Sequence, residues 1–67
     1  MTADSLNAHL ARGGRVQMTT YSISRVYDRS HAGYFSRNDK GELFVRAGKR
    51  RLCLGREDRP FVAIRLI

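Results

Sequence analysis

The sequence predicts a mainly β, α+β fold in which a short N-terminal helix precedes about five antiparallel strands. Residues 1–14 carry a single helical apolar stripe that ends at a pair of glycines. Beyond them, turn signals divide the chain at short intervals, and the segments between turns are rich in Val, Ile, Thr and aromatic residues, which favour strands. We expect one domain over residues 1–67, built as a small twisted sheet or a partly open barrel.

The helix is predicted over residues 3–12. Its apolar positions are spaced as on one helical face, with Leu6 and Leu10 in successive turns. Thr2, Asp4 and Ser5 are all suited to the N-cap or the first turn, and Gly13-Gly14 supplies a residue that adopts the left-handed conformation beyond the last turn. A helix this short is marginal alone, so we expect it to pack on the strands.

Residues 15–27 are predicted to form one long strand with a bend. The segment contains no Gly, Pro, Asn or Asp. Apolar residues occupy even positions up to Thr20 and odd positions from Ile23, and such a change of parity predicts a bulge or sharp bend between them.

Residues 28–67 are predicted to form an antiparallel meander. The turns are expected at Asp28–Ser30, Asn38–Gly41 and Ala47-Gly48 and in a charged loop over 55–60; the strands are expected over 32–37, 42–46, 49–54 and 61–67. A sheet of three or four strands with a packed helix is the alternative. The order of elements resembles that of Sm-like and SH3-like small barrels in architecture only, because the glycine and aspartate pattern of Sm-like proteins is absent.

Positive charge is the main functional signal of the sequence. Lys and Arg number 13 against 6 Asp and Glu, which gives a formal net charge of +7, and 11 of the 13 are Arg. A field of this size attracts polyanions, and the planar Arg fork suits phosphate and carboxylate. The partners that this charge predicts are DNA or RNA and, alternatively, an acidic host protein. The same charges would also keep a small protein soluble.

The densest basic cluster is predicted to lie on a hairpin around Ala47-Gly48. Strand alternation would place Lys49 and Arg51 on one face and Arg50 on the other. A basic, glycine-containing turn can approach phosphate closely, although a solvated hairpin tip is an equally good interpretation. The residues predicted to contact phosphate are Arg37, Arg46, Lys49, Arg50 and Arg51.

Aromatic residues alternate with arginines along the predicted strands. Such interleaving is typical of platforms on which unpaired bases stack. Tyr27 and Tyr34 are the predicted stacking residues, whereas Phe44, Phe61 and either Phe35 or Tyr34 are expected to fill the core.

No catalytic, cofactor or metal site is predicted. His9, His31 and Cys53 lack metal-ligand spacing, and Cys53, between two leucines, is expected to be a small packed residue. No phosphate-binding loop or nucleophile motif is present, and a chain this short is expected to have little room for a cleft between paired carboxylates.

A cytoplasmic location is predicted, in a prokaryote or one of its mobile elements. The sequence contains no secretory signal and no apolar run long enough for a membrane span, and its helix is not basic enough to anchor at a membrane. Because the expected core is small, association into a homo-oligomer is a further expectation.

Two functional hypotheses follow. The first is a small, basic, non-catalytic nucleic-acid-binding protein that contacts phosphate through the Arg-rich hairpin. The second is an accessory protein of the phage or plasmid type, which would bind and modulate a larger host protein through its basic face or through an edge strand over 61–67.

Overall fold

A computed structural model describes residues 1–67 and confirms the mainly β fold with one N-terminal helix. Seven strands form two antiparallel sheets, in the orders β2-β1-β7 and β3-β4-β5-β6, and neither sheet closes into a barrel. The elements are α1 (Ala3–Ala11), β1 (Val16–Thr20), β2 (Ile23–Tyr27), a short 3₁₀ helix (Arg29–His31), β3 (Phe35–Arg37), β4 (Glu42–Ala47), β5 (Arg50–Arg56), β6 (Arg59–Pro60) and β7 (Ala63–Leu66).

The predicted ends of helix α1 are confirmed. The Thr2 hydroxyl accepts a hydrogen bond from the Ser5 backbone N–H at 3.0 Å, and the Thr2 N–H donates to the Ser5 hydroxyl at 3.0 Å. This reciprocal capping satisfies donors that the first turn would otherwise leave unpaired. Gly13, with a φ of 90°, lies just beyond the C-cap and allows the chain to turn toward β1.

The prediction of one bent strand over residues 15–27 is wrong, because the segment folds back on itself as the β1-β2 hairpin. Thr20 pairs directly with Ile23, so Tyr21 and Ser22 form a two-residue turn. Directly paired residues share one face of a sheet, which accounts for the change of apolar parity without any bulge. The turn lacks the Gly or Asn that usually marks such a connection, so the sequence carried no signal for it.

The β4-β5 connection lies one residue later than predicted. The turn is Gly48-Lys49, with Gly48 at a φ of 64°, and Ala47 pairs with Arg50. The register shifts between Leu43 and Phe44, so Leu54 has no directly paired residue on β4. The Leu54 side chain is buried. The predicted charged loop over 55–60 contains the short strand β6, which pairs with β5.

The meander is confirmed only for β3 to β6. Strand β7 instead returns to pair with β1 at the other side of the molecule. Backbone hydrogen bonds between Arg15 and Ile67, at 3.1 and 2.8 Å, extend this pairing to the chain end. The first and last strands therefore lie side by side, with β7 as an edge strand.

The core lies where both sheets meet helix α1. The helix contacts β1 of one sheet and β3 of the other. The buried side chains are all apolar: Ala3, Leu6, Leu10, Val16, Met18, Phe35, Leu43, Val45 and Leu54.

Asn7 ties the helix to the edge of the second sheet. Its Nδ2 donates to the Phe35 carbonyl at 2.8 Å, and its Oδ1 accepts from the Phe35 N–H at 3.1 Å. The Asn7 side chain thus pairs both backbone polar groups of Phe35, which lies on the edge strand β3.

Asn7→Ala is expected to lower the free energy of unfolding by about 1–3 kcal/mol, because it leaves the partly buried Phe35 peptide groups without partners. Asn7→Asp retains the acceptor but places a carboxylate oxygen against the Phe35 carbonyl, so it should not restore the stability of the wild type. Urea denaturation measures both variants. A change of less than about 0.5 kcal/mol for Asn7→Ala would show that the pair contributes little.

Asp28 caps the 3₁₀ helix. Its carboxylate accepts from the Ser30 hydroxyl at 2.6 Å and from the Ser30 N–H at 3.0 Å, and it lies 3.0 Å from His31 Nδ1. The hydrogen bonds from Ser30, followed by the interaction with His31, hold the pKa of Asp28 below its ordinary value of 3.8.

A lowered folded-state pKa means that Asp28 stabilises the fold above its unfolded-state pKa and loses this contribution as the pH falls through the folded-state value. The stability difference between the wild type and Asp28→Asn should therefore shrink between about pH 5 and pH 2. Carboxyl ¹³C NMR titration provides the direct measurement. Ser30→Ala should raise the pKa of Asp28, and an unchanged pKa would contradict the assignment.

Candidate nucleic-acid interface

The second sheet presents a polar and aromatic face away from the core. Leu43 and Val45 are buried, so strand alternation turns the side chains of Phe44 and Arg46 outward. Directly paired residues share a face. The residues of this outer face are Ser36, Glu42, Phe44, Arg46, Arg51 and Cys53, with Tyr34 beside Arg46.

Two arginines occupy directly paired positions on the outer face. Arg46 pairs with Arg51 across β4 and β5. The Arg46 guanidinium lies 4.8 Å from the centroid of the Tyr34 ring, and that of Arg51 lies 4.5 Å from the centroid of Phe44. This cation–π contact restricts the position of each guanidinium group, and both arginines remain exposed to solvent.

Neither of these arginines has a carboxylate partner. Arginine–carboxylate pairs form only between Arg37 and Glu57, at 3.4 Å, and between Arg56 and Asp58, at 3.2 Å. Like charges in directly paired positions destabilise a sheet. A bound anion would offset this repulsion between Arg46 and Arg51.

The hydrogen bonds of the outer face leave most guanidinium donors free. Arg51 Nη2 donates to the Ser36 hydroxyl at 3.3 Å. Glu42, at the far end of β4, accepts from Asn38 Nδ2 at 2.8 Å and forms no ion pair with a lysine or arginine. The end of the sheet near the β4-β5 turn is therefore positively charged and open to a ligand.

The structure brings together four of the seven residues predicted to bind nucleic acid. Tyr34, Arg46 and Arg51 lie on or beside the outer face, and Lys49 lies in the adjoining turn. Arg50 is exposed on the opposite side of β5, because it pairs with Ala47 and alternates with Arg51.

Arg37 and Tyr27 lie outside this group. Arg37 pairs with Glu57, whose other carboxylate oxygen accepts from the Ala3 N–H at 2.7 Å at the start of helix α1. Tyr27 is half-buried, and its ring packs edge-on against Phe35, with centroids 5.9 Å apart. Arg37 therefore links the sheet to the helix, while Tyr27 packs against the core.

Phe35 is confirmed in the core, but three other packing predictions are wrong. Phe44 is half-buried on the outer face beneath Arg51, and Phe61 is 72% exposed. Cys53 is an exposed free thiol, because it pairs with Phe44 on the outward side. The alternation of Leu43 and Val45 was the sequence signal that places Phe44 outside.

A cleft of about 320 Å³ lies between the two sheets. Its lining is mainly apolar and includes no carboxylate: Met18, Thr20, Tyr21, Ile23, Arg25, Tyr27, Ala47, Leu52 and Leu54. Nowhere do three or more His, Cys, Asp or Glu side chains gather as a metal site would require.

No helix has the length and hydropathy needed to span a bilayer. Comparisons with known protein families, with curated protein sequences and with solved structures found no match. The function is therefore inferred from the chain's own residues.

Proposed function

We propose that the protein is a non-catalytic nucleic-acid-binding module whose outer face contacts the phosphate backbone. The observation that carries this proposal is the pair formed by Arg46 and Arg51. Both are directly paired, backed by aromatic rings and free of carboxylates. Two adjacent guanidinium groups can share one phosphate or contact two successive ones, each through charge-assisted hydrogen bonds.

Single-stranded nucleic acid fits the outer face best. Unpaired bases stack on flat guanidinium groups as well as on aromatic rings, and the exposed guanidinium groups of Arg46 and Arg51 lie over the rings of Tyr34 and Phe44. Lys49 adds a further cation at the end of the hairpin. The net charge of +7 would steer a strand toward this surface before contact.

The test is fluorescence polarisation with labelled single-stranded RNA, single-stranded DNA and duplex probes across a salt series. Arg46→Ala/Arg51→Ala is compared with Arg12→Ala/Arg65→Ala, which changes two exposed arginines away from the outer face. Each pair removes two positive charges, so the net charge falls from +7 by 2 to +5 in both variants. Differences between them therefore report position rather than total charge.

Arg46→Ala/Arg51→Ala is expected to weaken single-strand binding by about tenfold or more and to reduce the log–log salt slope by about 1.4, corresponding to two lost phosphate contacts. The control pair should change affinity less. Absence of wild-type binding at low salt, or an equal loss in both variants, would overturn the proposal.

Arg46→Lys/Arg51→Lys separates stacking from charge. Lysine retains the positive charge but has no planar group to stack between a ring and a base. The salt slope should stay near that of the wild type, while affinity should fall to a value between those of the wild type and the alanine variant. Wild-type affinity in the lysine variant would mean that stacking of the guanidinium groups is unimportant.

A further inference from the structure

The cleft between the two sheets is an unfilled continuation of the core. Its floor contains the buried residues Met18 and Leu54. Toward solvent it is bounded by Ile23 of β2 and Leu52 of β5, which are 65% and 48% exposed. The β1-β2 and β4-β5 hairpins thus lie apart at the cleft, and the apolar side chains of Ile23 and Leu52 remain exposed to solvent.

The tip of the β1-β2 hairpin holds an aromatic side chain at the rim at a conformational cost. Tyr21 is 98% exposed and has a φ of 56°, the single positive φ outside glycine in the chain. Glycine would relieve about 1–2 kcal/mol of strain at such a position. A strained, fully exposed tyrosine beside an apolar cleft is a feature that points to binding rather than to folding.

The charges around the cleft identify the kind of partner. Arg25 lines it, and Arg50 lies on the same side of β5 as the lining residue Leu52. Neither arginine has a carboxylate within ion-pairing distance. A partner that brings carboxylates to this rim would therefore complement it.

A second copy of the chain fits the rim poorly. Each copy carries a net charge of +7, so self-association would bring like charges together around the cleft. A nucleobase also fits poorly, because the floor of the cleft at Met18 and Leu54 is apolar and would leave the polar edge of an inserted base without partners. An aliphatic or aromatic side chain from a protein leaves no such groups unpaired.

We propose that the cleft binds a segment of an acidic protein. One or two apolar side chains of that segment insert between Ile23 and Leu52, and flanking carboxylates pair with Arg25 and Arg50. The cleft volume of about 320 Å³ is at the lower end of the range for binding pockets, which suits one or two side chains rather than a whole helix. The cleft lies on the opposite side of the β4-β5 hairpin from the outer face, so this proposal goes beyond nucleic-acid binding.

The test is selection of a random peptide display library on the full chain. Selected peptides are then measured against Ile23→Ser/Leu52→Ser and the control Val26→Ser/Ile67→Ser. Val26 and Ile67 are also exposed apolar residues, but they are not part of the cleft lining. All four positions are partly or largely exposed, so both variants should fold, and circular dichroism checks that they do.

The expected consensus is an apolar residue flanked by Asp or Glu. Binding should weaken about tenfold or more in Ile23→Ser/Leu52→Ser and change less than about twofold in the control. A basic consensus, no consensus, or equal binding to both variants would overturn the proposal. So would dimerisation or oligonucleotide binding that is lost specifically in Ile23→Ser/Leu52→Ser, because the occupant would then be a second copy or a nucleic acid.

Arg46→Ala/Arg51→Ala keeps the two proposals distinguishable. This variant alters the outer face alone, so it should bind the selected peptides as the wild type does. Loss of nucleic-acid binding with retained peptide binding, and the reverse in Ile23→Ser/Leu52→Ser, would establish two independent surfaces.

Discussion

Leu43→Ala is expected to destabilise the fold by about 2–5 kcal/mol, the range for truncating a large buried aliphatic side chain. Leu43 is 0% exposed and lies on β4, an inner strand of the second sheet. Domains of this length have a total stability of only about 3–10 kcal/mol. The substitution should therefore unfold a measurable fraction of the protein even without denaturant.

The matched control for Leu43→Ala is Leu52→Ala. Leu52 lies on the neighbouring strand β5 and faces the same side of the sheet, but it is 48% exposed at the rim of the cleft. Its truncation should cost less than half as much, because much of the removed surface already contacts water. Urea denaturation of both variants measures the difference, and equal costs would mean that the cleft is closed in solution.

The sequence predicted the parts of the fold that depend on local signals. Thr2 and Gly13 carry capping preferences, so both ends of helix α1 were predicted to within a residue. Gly41, with a φ of 78°, has the residue type that its turn requires. Each of these signals acts over a few residues and needs no tertiary contact.

The β1-β2 hairpin and the β7-β1 pairing could not be predicted in this way. Tyr21 occupies a turn position where glycine is usual, so composition favoured a continuous strand. The return of β7 to β1 joins residues at opposite ends of the chain and leaves no local trace in the sequence. Tertiary pairing determined both features.

For the candidate sites, the sequence predicted the charge and the separation of Arg50 from Arg51 by strand alternation. It placed the turn at Ala47-Gly48, however, whereas the turn lies at Gly48-Lys49. Arg50 therefore lies on the side of the cleft, where we propose that an acidic protein segment binds. Arg51 lies on the outer face, where we propose that nucleic acid binds. The cleft depends on the angle between two sheets, and no residue pattern encodes that angle locally.

Gly55→Ala is expected to be more destabilising than the same change at another glycine of similar backbone conformation. Gly55 lies in β5 with a φ of 94°, where an L-residue is strained by about 1–2 kcal/mol. A Cβ there would also lie 2.7 Å from the Phe61 ring and 3.0 Å from the Phe61 backbone nitrogen. That nitrogen donates to the Leu54 carbonyl at 3.0 Å, so relieving the clash would disturb the turn that contains β6.

Gly33→Ala isolates the backbone contribution. Gly33 has a similar φ of 86°, but a Cβ at this position would meet nothing within 4 Å. Its cost should be the conformational strain alone, and Gly55→Ala should cost at least about 1 kcal/mol more in urea denaturation. Equal costs would show that Phe61 moves freely. Since Phe61 is 72% exposed, the rigid part of the contact must be its backbone, and the difference in cost between the two variants measures how firmly that backbone is held.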